Sequence, residues 1–174
     1  MRLIGLEGSV DVGPVVLSCV LAAPDFEDDR SPGPDTDNGA YFAMRASLPL
    51  LSIDKWILGS SIELGALSSD VTSSSTASSD LTALFADVSL NAAYSASPDA
   101  LAALSPYGGI GLRVLDGLQD FGALGNVEFD AALAYAFVGI ALNWQPTEDL
   151  GLSLESHVLV GQINGFQLSF VASF

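Results

Sequence analysis

The sequence predicts an all-β protein: an eight-stranded antiparallel up-and-down transmembrane β-barrel in which residues 1–174 form one domain. Segments of roughly ten residues with alternating apolar and polar side chains recur along the chain, as in membrane-spanning barrel strands. Hydrophobic residues make up 49% of the chain and charged residues only 15%. The longest apolar run, residues 131–142, has 12 residues. A spanning helix needs about 18, so a barrel is favoured.

The segment at residues 165–174 shows the alternation most clearly. Phe166, Leu168 and Phe170 share one parity, and Gln167 and Ser169 share the other. Because alternate residues of a strand point to opposite faces, this segment has one apolar face and one mostly polar face.

Seven further segments complete the predicted barrel. They are residues 3–22, 40–51, 55–67, 81–95, 107–115, 126–144 and 150–160. Within the first of them, Gly13 and Pro14 are interpreted as a bulge. The segments are joined by loops at residues 24–39, 68–80 and 116–125, which are rich in turn-forming and polar residues. The connection at residues 96–106 is longer than the short turns usual on the periplasmic side of an outer-membrane barrel.

Aromatic residues are expected to collect at the periplasmic end of the barrel, where they would form a girdle at the membrane interface. The residues of this predicted girdle are Trp56, Tyr94, Tyr107, Trp144 and Phe174. Tyr107 fits the girdle by depth but not by parity, because Arg113 on the same parity should point inward.

Charged residues on the inward parity suggest a polar interior. They are Glu7, Arg45, Lys55, Glu63, Asp87, Arg113, Glu155 and His157. A barrel this narrow is filled by its own side chains, and buried charges must pair. We therefore expect Arg45 and Arg113 to form a network with acidic partners. The leading interpretation is a polar core that plugs the lumen, and the alternative is a narrow pore for small solutes or hydrophobic compounds.

Three places in the chain resemble a known family. They are residues 105–112 (SPYGGIGL), residues 138–144 followed by 150–155 (VGIALNW and LGLSLE), and the terminal Phe174. These are similar to the eight-stranded outer-membrane barrels that include the OmpA transmembrane domain, OmpW and the opacity proteins. The long connection at residues 96–106, and Leu159 where an aromatic residue is commoner, depart from the family pattern.

The resemblance implies a location in the bacterial outer membrane and a structural or surface-interaction role. The implied partners are the lipid bilayer, lipopolysaccharide, and the barrel assembly machinery, which would read Phe174. A monomer without a cofactor is expected.

Composition argues against several other functions. The net charge of −16, from 21 acidic and 5 basic residues, makes nucleic acid an unsuitable partner. One cysteine and one histidine leave little basis for a disulfide framework or a zinc site. We expect no enzymatic activity, because His157 has no serine at a suitable spacing and should point into the lumen. Acidic residues 25–37 are interpreted as a solvated loop, and bridging of this loop to lipopolysaccharide through divalent ions is a hypothesis.

A soluble lipocalin-like barrel carrying an apolar ligand is a further alternative. In such a barrel the apolar faces would point inward and Lys and Glu would be frequent on the outer faces. Here the polar parity holds mostly Gly, Ser, Asn and Ala, which suit a crowded interior. The pattern therefore favours the membrane barrel.

Overall fold

The computed structural model describes residues 2–25, 39–72, 78–94, 102–147, 150–162 and 165–173, and almost all of these lie in β-strands. The strands are β1 Arg2–Val12, β2 Val15–Asp25, β3 Gly39–Ile53, β4 Trp56–Thr72, β5 Ser78–Tyr94, β6 Ala102–Asp120, β7 Asn126–Thr147, β8 Leu150–Gly161 and β9 Gly165–Ser173. A short 3-10 helix, Gly122–Leu124, lies between β6 and β7. No helix in the described ranges is long and apolar enough to cross a membrane.

The strands form one closed barrel in sequence order. Each strand pairs antiparallel with the next, and β1 closes the barrel by parallel pairing with β9, from Arg2 opposite Phe166 to Ser9 opposite Ser173. The predicted all-β class and closed barrel are confirmed. The predicted count of eight strands is wrong, because the described residues form nine. With an odd number, the first and last strands run in the same direction, so they can only meet in parallel.

The additional strand comes from the first predicted segment, residues 3–22, which is a hairpin rather than one bulged strand. Val12 lies opposite Val15, and Gly13 and Pro14 form the turn. Gly13 has a φ of 65°, in the left-handed region that glycine enters without steric cost. Glycine at the first central position is what a two-residue type II′ hairpin turn requires.

The sixth strand is also longer than predicted. Residues 107–115 are only the middle of β6, which pairs with β7 from Ala102 opposite Trp144 to Asp120 opposite Asn126. Much of the expected 96–106 connection and of the expected 116–125 loop is therefore strand. Pro106 fits because it lies just beyond the last pair between β5 and β6, an edge position where proline is tolerated.

The barrel has two distinguishable ends. We call the end at which β2, β4, β6 and β8 finish the upper end, and the end at which β1, β3, β5, β7 and β9 finish the lower end. Side chains alternate between the interior and the outer surface along the strands. On β7, Tyr135, Phe137 and Ala141 face inward, whereas Ala136 and Val138 are exposed on the outside.

Glycines in the interior make room for aromatic rings. Five inward glycines lie directly opposite an aromatic residue of the neighbouring strand, and a Cβ on any of them would contact the opposing ring. The pairs are Gly65 with Phe85, Gly109 with Phe137, Gly111 with Tyr135, Gly117 with Phe129, and Gly139 with Tyr107. The rings thus fill the space left by the missing side chains, which supports packing in a narrow barrel.

We predict that Gly65→Ala destabilises the barrel by about 1–3 kcal/mol, the usual cost of overpacking a well-filled interior. A methyl group there would meet the backbone carbonyl of Phe42 as well as the Phe85 ring. Urea unfolding monitored by tryptophan fluorescence measures the effect. Gly8→Ala is the matched control, because nothing lies within 4 Å of a Cβ built at Gly8. Equal stability of the two variants would contradict the assignment of Gly65 as a packing position.

Candidate functional site

A row of charged side chains crosses the middle of the barrel interior. Arg45 on β3, Glu63 on β4, Asp87 on β5 and Arg113 on β6 lie directly opposite one another in the strand register. All four are on the inward face, and Glu63 and Asp87 are each only 4% exposed. We call these four residues the ionic row. The register of four adjacent strands therefore creates the site, since no two of its residues are close in sequence.

Arg45 joins two carboxylates. Its Nε and Nη2 atoms both lie 2.7 Å from Oε2 of Glu63, and its Nη1 atom lies 3.2 Å from Oε2 of Glu7. Glu7 reaches the row from β1, and it is also buried. Charge-assisted bonds of this kind are stronger than neutral hydrogen bonds and hold the guanidinium in one orientation.

Arg113 completes the row on the other side. Its Nε donates to Oδ2 of Asp87 at 2.9 Å, and its Nη2 lies 3.6 Å from Oε1 of Glu63. The guanidinium also lies over the Phe85 ring, 4.6 Å from its centroid. The Phe85 ring and the carboxylates of Glu63 and Asp87 interact favourably with the guanidinium, and these contacts offset the free energy that the cation loses when it is buried away from water.

Two tyrosines bring neutral donors to the row. The Tyr41 hydroxyl donates to Glu63, and the Tyr135 hydroxyl donates to both oxygens of Asp87 at 2.7 and 2.8 Å. The list of charged inward residues drawn from sequence omits these partners. Their inward parity was the available signal, but only the register shows that they reach the same carboxylates.

An apolar cluster fills the interior on the upper side of the ionic row. It consists of Leu3, Val20, Tyr41, Ala43 and Phe85. The rings of Tyr41 and Phe85 stack with their centroids 5.1 Å apart. Leu3 and Val20 are 2% and 0% exposed, so the described side chains leave little space at this level.

A cavity of about 410 Å³ lies on the lower side of the row. Its floor includes the ionic row and Glu7, and its lining extends to Ile57, Ala93 and Tyr94, which lie near the lower end of the barrel. Hydroxyl and amide groups line one wall, and four of them form two hydrogen-bonded pairs: Ser61 with Ser89 at 2.7 Å, and Asn143 with Ser105 at 3.0 Å.

His157 and Glu155 line the cavity from β8, the strand that pairs with β7. The His157 Nδ1 atom is 3.0 Å from the Tyr107 hydroxyl, and its ring also packs near Phe137. The hydrogen-bond partners of His157 are thus Tyr107 and Gln167 rather than a serine nucleophile. No described cation lies within 4 Å of Glu155, in contrast to Glu7, Glu63 and Asp87.

Lys55 is the one predicted interior residue that the structure places elsewhere. It lies in the exposed turn between β3 and β4, next to Asp54, whose φ is 53°. The parity that pointed Lys55 inward applies only from Trp56, where β4 begins. Its ammonium group lies 5.9 Å from the centroid of the Tyr94 ring, outside the ionic row.

The predicted girdle aromatics divide between the two faces. Trp56 and Tyr94 pair across β4 and β5 near the lower end, with ring centroids 5.4 Å apart. Trp144 on β7 packs against Phe170 on β9, with ring centroids 6.0 Å apart. Tyr107 instead points into the cavity, as its parity indicated. Phe174 lies outside the described residues.

Comparisons with protein-family models, with curated proteins and with solved structures found no match for this chain. Among the described residues, no group of three or more His, Cys, Asp or Glu side chains is arranged to hold a metal ion. The ionic row, the apolar cluster and the cavity define the chemistry of the described interior.

We predict that Glu63→Gln lowers the free energy of unfolding by about 3 kcal/mol, because it leaves buried guanidinium charge without its main partner. Urea unfolding measures the change. Glu128→Gln is the matched control: it removes the same charge from an exposed position on β7, and should change stability by less than about 0.5 kcal/mol. Similar effects of the two substitutions would show that the ionic row does not stabilise the barrel.

Proposed function

We propose that the chain is an integral outer-membrane β-barrel with a largely plugged, polar interior and a structural or surface-interaction role. The observation that carries the proposal is the outer surface. Large hydrophobic side chains are exposed on all nine strands, including Ile4, Leu21, Met44, Leu64 and Leu84. Soluble monomers rarely expose continuous apolar surface on this scale, whereas a bilayer covers it.

Along the strands, the apolar part of the outer surface is as long as a transmembrane β-strand. On β7, every outward position from Ala132 to Leu142 is apolar, and the outward residues beyond are Asp130 towards the upper end and Trp144 towards the lower. On β6, the outward positions from Leu104 to Val114 carry no ionisable residue, and Asp116 follows. Each stretch is eleven residues long, in keeping with the roughly 9–11 residues of a tilted transmembrane strand.

The two rims of this apolar band differ chemically, which supports an orientation. Acidic residues, among them Asp70, Asp80, Asp116 and Asp130, lie towards the upper end. The Trp56–Tyr94 and Trp144–Phe170 pairs lie towards the lower end, where aromatic rings would sit at an interface. We therefore place the upper end outside the cell, facing lipopolysaccharide, and the lower end in the periplasm. The proposed contact of Phe174 with the assembly machinery concerns a residue outside the described ranges.

The soluble lipocalin-like alternative is less well supported. It requires an apolar interior and a charged outer surface. The interior instead carries the ionic row, while the apolar residues face outward. We also do not extend the proposal to a channel, because the ionic row and the apolar cluster occupy the middle and upper levels of the lumen.

We predict that Ile110→Arg destabilises the folded barrel in lipid vesicles by about 2–4 kcal/mol, the cost of a basic residue near the bilayer midplane. Ile110 is 62% exposed midway along the apolar band of β6. Leu124→Arg is the control, because Leu124 is 84% exposed in the connection beyond the band. This variant should stay within about 0.5 kcal/mol of wild type.

The folded fraction is read from gel mobility in SDS, with boiled samples compared to unboiled ones, across a urea titration. If the protein is a closed membrane barrel, the unboiled sample should stay folded in SDS and migrate at a different position from the boiled sample. If Ile110→Arg were as stable as Leu124→Arg, or if the protein ran as one band and stayed soluble without detergent, the membrane proposal would be wrong.

A further inference from the structure

The cavity below the ionic row carries excess negative charge. Four carboxylates line it, from Glu7, Glu63, Asp87 and Glu155, against two guanidinium groups, from Arg45 and Arg113. The guanidinium groups pair with the first three carboxylates. Among the described side chains, Glu155 is therefore the cavity carboxylate that makes no ion pair within 4 Å, and Arg45 attracts it only from a longer distance.

The position of Glu155 makes this imbalance costly. It lies between Ala141 of β7 and Ser169 of β9 in the register, and it is only partly exposed. Burial removes water from this carboxylate and Glu7 repels it, whereas Arg45 and the Ser153 hydroxyl stabilise its charge. An isolated carboxylate in a partly buried, low-dielectric site is stabilised strongly by a nearby cation. With four carboxylates and two guanidinium groups in its lining, the cavity favours a positively charged guest.

The remaining walls suit an organic cation better than a bare ion. The rings of Tyr107 and Phe137 line the cavity, and they offer apolar surface to the aliphatic body of such a cation. Ser89 and Asn91 on β5 and Ser105 on β6 supply oxygen atoms that can accept hydrogen bonds from an ammonium group. The volume, about 410 Å³, lies in the range of small-molecule sites, roughly 300–1,000 Å³.

We propose that this cavity binds a small organic cation, with a primary ammonium group paired to Glu155 and an aliphatic body against the Tyr107 and Phe137 rings. An aliphatic diammonium compound suits the site best, because the hydroxyl and amide groups of the same cavity can accept hydrogen bonds from its second ammonium group. The binding site depends on the interior alone, so it goes beyond the proposed structural role and stands whether or not the outer surface lies in a bilayer.

The test is isothermal titration of the detergent-folded full chain with 1,4-diaminobutane, and separately with 1,4-butanediol, which has a similar shape and no charge. We expect the diamine to bind and the diol not to bind. Glu155→Gln should weaken diamine binding about tenfold or more, the usual effect of losing a charge-assisted contact. Glu128→Gln, which makes the same change in net charge at an exposed position, should bind like wild type.

The single histidine of the chain provides a second readout that needs no substitution. Because His157 lines the cavity, its imidazole NMR signals should shift when the diamine is added and stay in place when the diol is added. Because it uses the wild-type protein, this measurement tests diamine binding in the cavity even if the Glu155→Gln variant does not fold. Absence of diamine binding, equal binding of diol and diamine, or equal weakening by Glu155→Gln and Glu128→Gln would each overturn the proposal.

Discussion

The interior of this barrel depends on the pairing of two guanidinium groups with three buried carboxylates. Arg45 and Arg113 each bind Glu63, and each also holds a second acid, Glu7 or Asp87. Removing any one partner would leave a largely buried charge without its compensating ion. These contacts also link β1 to four consecutive strands, β3 to β6. The ionic row therefore adds side-chain links between strands to the backbone hydrogen bonds of the barrel.

The ionic row also separates two interior environments. Above it, Leu3, Val20 and the stacked Tyr41 and Phe85 rings exclude water. Below it, the cavity is lined by hydroxyl, amide and carboxylate groups. Phe85 belongs to both levels, because its ring packs on Tyr41 and lies under the Arg113 guanidinium. Among the described residues, the interior thus combines a packed apolar upper level with an open polar lower one.

Much of this organisation could be predicted from alternation alone. Parity identified Arg45, Glu63, Asp87 and Arg113 as inward residues, and the structure brings these four together. Alternation failed where its phase was interrupted. The turn at Gly13 and Pro14 lies between two apolar runs, which together resemble one long strand in the sequence. Lys55 lies in a turn, where alternation does not predict which way a side chain points. The tyrosine donors and the parallel closure depend on which strands meet in which register, and one sequence contains no direct record of register.

The most direct test of the central claim, that the outer surface faces lipid, uses the single cysteine of the chain. Cys19 is exposed on β2, opposite Gly8 and Met44 in the register and within the apolar surface. A nitroxide attached to Cys19 in lipid vesicles reports its surroundings by its collisions with oxygen, which concentrates in hydrocarbon, and with a water-soluble nickel chelate. The account predicts strong relaxation by oxygen and weak relaxation by nickel. Stronger relaxation by nickel would place this face in water and contradict the membrane barrel.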